Sequence, residues 1–260
     1  MAEFLRSYRN TLLFFGIIGL IGGYFVGIYV FDSYPPDIQQ QLYAQLAAEG
    51  LAQVPVDVFL GIVNAIQSVG YGVILGAAGI WLAKQLGLWK DETSIRPAPL
   101  TTAIAVGVAG GLVMILADLL YFNNFSDVIK NSYTTKPTIP YLLAMVTYGG
   151  VIEEVLLRLF LMSLIAWILH KLFGKTEHSP SPAILICANL ISAILFAAGH
   201  LPTTLLMIGD APIIIFRCFL LNGGIGLLFG WLYRKFGLRY AMIAHGGCHI
   251  ISKLIWILFI

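Results

Sequence analysis

Long apolar runs separated by short polar segments dominate the chain. A bilayer core of about 30 Å requires roughly 20 apolar residues in a helix, and lipid offers the backbone no partner outside a helix of this kind. The pattern therefore predicts an all-α, polytopic transmembrane bundle of about seven spans, with six to eight as the range. The predicted spans are residues 11–31, 56–88, 100–122, 139–172, 182–200, 212–233 and 238–260.

Three of these spans contain local irregularities. The second is long, and Gly70 and Gly72 predict a break within it. The fourth is a composite, because Gly149–Gly150 and the charges that follow interrupt its apolar run. Glu153, His200 and His245 are predicted to converge in one polar cavity. Counted from the loops, His200 falls near the outer end of the fifth span and His245 nearer the inner end of the last, so the fifth span must continue past Pro202 for them to meet.

The segment between the first two spans has a different pattern. Ile38, Leu42 and Leu46 recur every four residues among several glutamines, which predicts a short amphipathic helix at the membrane surface. The simplest interpretation of this extramembrane segment, at about 36–50, is a solvated connector. We predict two parts of the chain, with the N-terminal spans and this segment in residues 1–138 and a core that carries the polar motifs in residues 139–260.

Composition restricts the class further. Of the 260 residues, 59% are hydrophobic and 11% are charged, whereas soluble domains carry about 25% charged residues. The net charge of +2 and the absence of a basic run argue against nucleic acid. Cys187, Cys218 and Cys248 have no paired spacing, so neither a disulfide nor a zinc-ribbon framework is expected. The first span is too long for a signal peptide, which predicts that it is retained.

Lysine and arginine in short loops predict the orientation. If there are seven spans, most of them fall on the side of the N-terminus, which is therefore predicted to be cytoplasmic. These residues are Arg6, Arg9, Lys84, Lys90, Arg96, Lys171, Lys175, Arg234, Lys235 and Arg239. Lys130 and Lys136 are exceptions, and His170 and His178 flank loops and are predicted to be at the surface.

Ionisable residues within the spans are the candidates for chemistry, because burying them in lipid is costly. Glu154 and Arg158 are four residues apart and are expected to pair on one helical face. One interpretation of this pair is purely structural, namely an ion pair that locks helices together. Glu153 is then left without a local cation, and a carboxylate of that kind suits general acid–base work. Asp118, Arg217 and Lys253 each stand alone in the sequence.

Three histidines extend this set of polar residues. His200 follows Phe196 by four residues, so the aromatic ring is expected to shape the pocket around it. His245 and His249 are one turn apart, and the glycines between them allow another helix or a substrate backbone to come close. Singly, each histidine is more often a bridge between helices than a catalyst, but structural roles explain the combined set poorly.

The order Glu-Glu-x-x-x-Arg, Phe-x-x-x-His and His-x-x-x-His on successive helices resembles the motifs of the CAAX prenyl protease and bacteriocin-processing family, also called the Abi family. The likeness covers roughly residues 140–255. It implies a glutamate-dependent intramembrane endopeptidase acting on a membrane-associated peptide or protein, with no cofactor or metal. The resemblance implies that Glu153 and His200 activate a water, that His245 donates to the oxyanion, and that Glu154 and Arg158 organise the site.

One position departs from the family pattern, and other functions remain open. The family usually has asparagine where this chain has His249, which can donate a hydrogen bond if a partner fixes its tautomer. A metal-dependent peptidase is an alternative, since His245 and His249 have zinc-ligand spacing that Glu153, His200 or Cys248 could complete. A second alternative function is a non-catalytic membrane scaffold. A transporter is the third and ranks last. The sequence does not indicate an oligomeric state.

Overall fold

A computed structural model of the chain describes residues 2–91, 94–174 and 179–260, and within these ranges it is helical and contains no strand. Lys175 and His178, both used in the sequence predictions, lie outside the described residues. The α-helical elements are α1 (Ala2–Ser7), α2 (Arg9–Ser33), α3 (Pro36–Ala48), α4 (Val56–Gln85), α5 (Pro97–Leu120), α6 (Asp127–Ser132), α7 (139–173), α8 (Pro182–Met207), α9 (Pro212–Phe236) and α10 (Leu238–Phe259).

Six of the described helices are long and apolar enough to cross a bilayer, namely α2, α4, α5, α8, α9 and α10. Helix α7 is also long enough, but Glu153, Glu154 and Arg158 interrupt its apolar character. The predicted all-helical, polytopic membrane fold is confirmed. The chain is an integral membrane protein.

Two of the predicted irregularities take a specific form. The glycines in the second span do not break α4, because a π-helical turn at Tyr71–Leu75 keeps it continuous. The fifth span does continue: α8 runs through Pro202 to Met207. His200 therefore lies within this helix rather than at its end.

Small residues hold the helices close together. Gly19, Gly23 and Gly27 form one stripe of α2, and a Cβ atom on any of them would come within 2.4–2.6 Å of backbone oxygens of α4. Without a hydrophobic driving force between helices in lipid, such close backbone packing is a main source of association. At the core, a Cβ on Gly150 of α7 would lie 2.9 Å from the Cα of Gly246, so α7 and α10 approach closely beside the polar residues.

The loops meet in two groups at opposite ends of the bundle. At one end, the Lys84 ammonium donates to the Tyr8 hydroxyl, and the Tyr240 hydroxyl accepts from the backbone N–H of Arg96. At the other end, Lys136 donates to the backbone of the last turn of α10. The N-terminus and two of the basic loops therefore share one end of the molecule.

The amphipathic segment is a helix, as the sequence predicts. Helix α3 places Leu42 and Leu46 against Phe31 and Val56 at the ends of α2 and α4. Its apolar side is thus packed on the bundle itself. The other side of the helix is exposed, as expected for an extramembrane segment.

Candidate active site

Two π-helical stretches of α7, Met145–Ile152 and Val155–Met162, flank the adjacent carboxylates Glu153 and Glu154. Such widened turns occur frequently at functional sites. The adjacent residues point in different directions, as the helical geometry predicts. Glu154 is fully buried, whereas the Glu153 side chain keeps 18% of its surface exposed.

The two carboxylate oxygens of Glu154 differ, because Oε1 has two close partners and the buried Oε2 has none among the described residues. One carboxylate oxygen, Oε1, lies 3.1 Å from Nη1 of Arg158, which confirms the expected pairing at i, i+4. The same oxygen accepts a hydrogen bond from Nδ1 of His245 at 2.8 Å. Glu154 therefore links α7 to α10 and fixes the orientation of the His245 ring.

Arg158 occupies a cradle that includes two residues not singled out in the sequence. Its Nη2 donates to the backbone oxygen of Gly226 at 2.9 Å. Its guanidinium lies over the rings of Phe196 and Phe229, at 4.8 and 5.6 Å from their centroids. Contacts of this kind stabilise a desolvated cation. Phe229 also stacks on the His245 ring at 4.5 Å.

Glu153 has a different environment, because two imidazole rings face its carboxylate without touching it. Nε2 of His200 lies 4.0 Å from one oxygen, and Nε2 of His245 lies 3.9 Å from the other. These separations are too long for direct hydrogen bonds, and polar groups at such distances are commonly bridged by water. The structure thus brings together the three residues that the sequence predicted to converge.

The tautomers of His200 and His245 follow from the hydrogen-bond partner of Nδ1 in each ring. Nδ1 of His200 lies 2.9 Å from the carbonyl oxygen of Phe196, which can only accept, so this nitrogen carries the proton. In the same way, Nδ1 of His245 donates to the Glu154 carboxylate. In a neutral ring, Nε2 of each histidine is then an acceptor that faces Glu153. A water between acceptors can donate to both, which is the position required of a nucleophile held by a base.

His249 lies beside this group. Its ring stacks on that of His245, with centroids 5.0 Å apart. The side chain is buried, and Nδ1 has no hydrogen-bond partner among the described residues. Donation by a neutral His249 requires a partner that fixes the tautomer, and the described residues supply none at Nδ1. On α7, the facing residue is Gly149, where a Cβ would lie 3.0 Å from Nε2 of His249.

The alternative metal site finds little support in the arrangement of its predicted ligands. The Cys248 thiol points toward α5, where it donates to the sulfur of Met114 at 3.3 Å. His245 and His249 stack face to face. Among the described residues, no group of three or more His, Cys, Asp or Glu side chains is arranged to hold a metal ion.

Asp118 and Arg217, which stand alone in the sequence, pair with each other in the structure. The guanidinium of Arg217 donates from Nε and Nη2 to the two oxygens of Asp118, both at 2.6 Å. The Tyr133 hydroxyl adds a third hydrogen bond to Asp118 at 2.8 Å. Burial, and after it the charge of Asp118, raises the pKa of Tyr133, so the phenol remains a donor. Their sequence separation hides this pairing.

His170 was predicted to be a surface residue, and the structure corrects this in part. It lies in the last turns of α7 and is half-buried, with Nδ1 enclosed and without a partner among the described residues. A Cβ on the neighbouring Gly174 would collide with its ring. It is far along α7 from the glutamates and does not join the site.

The geometry defines a class of protein, namely a polytopic helical membrane protein whose carboxylates and histidines converge within the spans. Residues 135–251, a little under half of the chain, match the family model described as type II CAAX prenyl endopeptidase Rce1-like. This match confirms the resemblance drawn from the motifs, and the family is one of CAAX-type intramembrane peptidases. Comparisons with curated proteins and with solved structures gave no match.

Proposed function

We propose that this protein is an intramembrane endopeptidase of the glutamate type, which hydrolyses a peptide bond of a membrane-associated peptide or protein. The observation that carries the proposal is the position of Glu153, whose two oxygens lie 3.9–4.0 Å from ring nitrogens of His245 and His200. A water held between Glu153 and Nε2 of His200 would have an acceptor on each side.

In the proposed reaction, Glu153 is the general base. It takes a proton from the water as the oxygen attacks the scissile carbonyl, and His200 holds the water through Nε2. The proton is then delivered to the leaving amine nitrogen as the bond to the carbonyl carbon breaks. A positioned base of this kind typically contributes about 10²–10⁴-fold to the rate.

The developing negative charge on the carbonyl oxygen requires donors. Since Nδ1 of His245 already donates to Glu154, this histidine can donate from Nε2 only as an imidazolium. Glu153 and Glu154 on either side supply the counter-charge for that form. The unpartnered, buried Nδ1 of His249 supports a second donor at the same oxygen, in the role of the usual family asparagine.

Glu154 and Arg158 are positioning residues in this scheme. Glu154 orients the His245 ring, and the aromatic cradle and the Gly226 carbonyl hold Arg158 in place. Preorganised groups of this kind act without reorganising during the reaction, which is why their contribution is large in a low-dielectric site.

The proposed orientation places the N-terminus in the cytoplasm. It rests on the end of the bundle where the N-terminus and basic loops meet, since loops rich in Lys and Arg remain on the cytoplasmic side. Labelling of single cysteines at Gln40 and at Lys171 tests it. We expect a membrane-impermeant reagent to reach the first only from outside and the second only from inside, and the reverse pattern would overturn the orientation.

The function is tested by incubating purified protein with a panel of membrane-anchored peptides and comparing the unmodified chain with Glu153→Gln. We expect cleavage by the unmodified chain and a loss of about 10²–10⁴-fold in the variant, with an unchanged unfolding temperature. Cleavage that survives in Glu153→Gln would refute Glu153 as the base. If no peptide in the panel is cut, a normally folded Glu153→Gln variant that alters the processing of a partner in cells would exclude a purely non-catalytic scaffold.

A further inference from the structure

A polar cavity that is not lined by Glu153, His200 or His245 lies at the end of the bundle opposite the basic loops. Its volume is about 440 Å³. Tyrosine and tryptophan rings line it in contact with one another: Tyr141 lies 4.6 Å from Tyr29 and 6.2 Å from Trp256, and Tyr133 lies 5.0 Å from Trp256. Such rings concentrate at the level of lipid headgroups, which places the cavity at that depth.

Most of the charges around this cavity are already satisfied. Arg217 and Asp118 form the bidentate pair described above. The ammonium of Lys136 donates to the backbone oxygens of Trp256 and Ile257 at the end of α10. These groups therefore do not require a ligand.

Lys253 is not satisfied in this way. Its ammonium lies over the Tyr141 ring, 5.1 Å from the centroid, and no carboxylate or carbonyl oxygen among the described residues accepts from it. The residue sits within a predicted span and is only partly exposed. Lysine side chains near the ends of spans extend toward the interface, where a lipid phosphate can supply the acceptor that the described residues lack.

A second charge narrows the identity of the anion. The carboxylate of Asp32 lines the same cavity and has no hydrogen-bond or ion-pair partner among the described residues. It disfavours a ligand that carries only negative charge, and it favours one that also carries an ammonium group. A phosphate and an ammonium group close together are found in the headgroup of phosphatidylethanolamine.

We propose that this cavity binds the headgroup of a phosphoethanolamine lipid, with the phosphate against Lys253 and the ammonium group toward Asp32. The proposal is independent of the peptidase activity, because it uses none of the residues around Glu153. It assigns a ligand to the solitary lysine of the last span, which the catalytic scheme leaves unused.

Native mass spectrometry of the purified full-length chain tests the proposal. The protein is delipidated and titrated with phosphatidylethanolamine, with phosphatidylglycerol, and with inorganic phosphate. We expect preferential retention of phosphatidylethanolamine. Lys253→Met should weaken it at least about tenfold, as expected for the loss of a charge-assisted hydrogen bond. Asp32→Asn should reduce the preference over phosphatidylglycerol.

Lys171→Met is the matched control, because Lys171 also lies over an aromatic ring, that of Trp167 at 5.8 Å, but does not line the cavity. It should bind as the unmodified chain does. Lys253→Arg should retain the lipid, which keeps the test valid if Lys253→Met fails to fold. Equal retention by Lys253→Met would overturn the proposal. So would equal binding of phosphatidylglycerol or inorganic phosphate, or lysine-dependent binding of acidic peptides without lipid retention.

Discussion

Two clusters of polar side chains form around carboxylates of the spans, and they differ in how completely their members satisfy one another. In the cluster of Asp118, Arg217 and Tyr133, each carboxylate oxygen has at least one close donor, at 2.6–2.8 Å. In the cluster around Glu153, the nearest ring nitrogens stop at 3.9–4.0 Å.

The difference indicates two kinds of role. A charge pair whose hydrogen bonds are all made within the protein has nothing left to offer a ligand, so its effect is structural. Glu153 keeps its oxygens available, while its neighbour Glu154 takes the close contacts with Arg158 and His245. The Glu154–Arg158 pair thus holds His245, whose ring faces the available carboxylate of Glu153.

The largest expected effect comes from breaking the satisfied cluster. Asp118→Leu leaves the Arg217 guanidinium in the bundle without its acceptors. Removing one partner of a buried pair typically costs about 3–5 kcal/mol, and we expect the lower end because Arg217 retains 19% exposure. Denaturant or thermal unfolding in detergent measures the loss. Cleavage per folded molecule, in the assay above, should not change.

The double variant Asp118→Leu/Arg217→Met is the control. It removes both charges, and replacing a buried pair by apolar residues is often neutral, so we expect it to recover most of the lost stability. If the single and double variants are equally unstable, the pairing itself does not account for the loss. If the single variant is as stable as the unmodified chain, the structural role is wrong.

The second effect concerns the cluster that is not satisfied internally. His249→Leu removes a donor from the proposed oxyanion site, and the loss of one such donor typically costs about 10²–10³-fold in kcat. His249→Asn should keep substantial activity, because it restores the amide usual in the family. Steady-state kinetics with any peptide found to be cleaved measures both.

The two histidine variants also separate the alternatives. If His249 bound a metal, His249→Asn would lose both the metal and the activity, which metal analysis of the purified variant would reveal. If both variants behave like the unmodified chain, His249 only packs against His245, and the donor role is refuted.

The sequence predicts the local relationships of the site and misses the distant ones. Glu154 and Arg158 pair as expected because helical geometry alone relates residues at i and i+4. Asp118 and Arg217 also pair, but they are 99 residues apart, and no periodicity shows which helices are neighbours. Two opposite charges near the same ends of their spans were the available signal.

The same limit applies to the convergence of the catalytic residues. The predicted end of the fifth span separated His200 in depth from His245, and the continuation of α8 through Pro202 resolves the difference. Proline is tolerated there because neighbouring groups compensate for the lost backbone hydrogen bond. Phe229 and Gly226 were missed because their importance arises only from contact with Arg158.

The smallest expected effect probes that contact. A Cβ on Gly226 would lie 2.9 Å from Nη2 of Arg158 and 3.2 Å from the Phe196 ring, so Gly226→Ala must displace the guanidinium. Overpacking of this kind typically costs about 1–3 kcal/mol. Activity should fall by less than the ~10²-fold that a 1 Å misplacement can cost.

Gly224→Ala is the matched control on the same helix, since its Cβ would meet only Leu220 at 3.9 Å. That variant should be neutral or more stable by about 0.5–1 kcal/mol, because alanine is the better helix former. Thermal unfolding and kcat measured on both variants give the comparison. Equal effects from the two substitutions would show that Arg158 is free to move, and that its cradle does not position the Glu154–His245 contact.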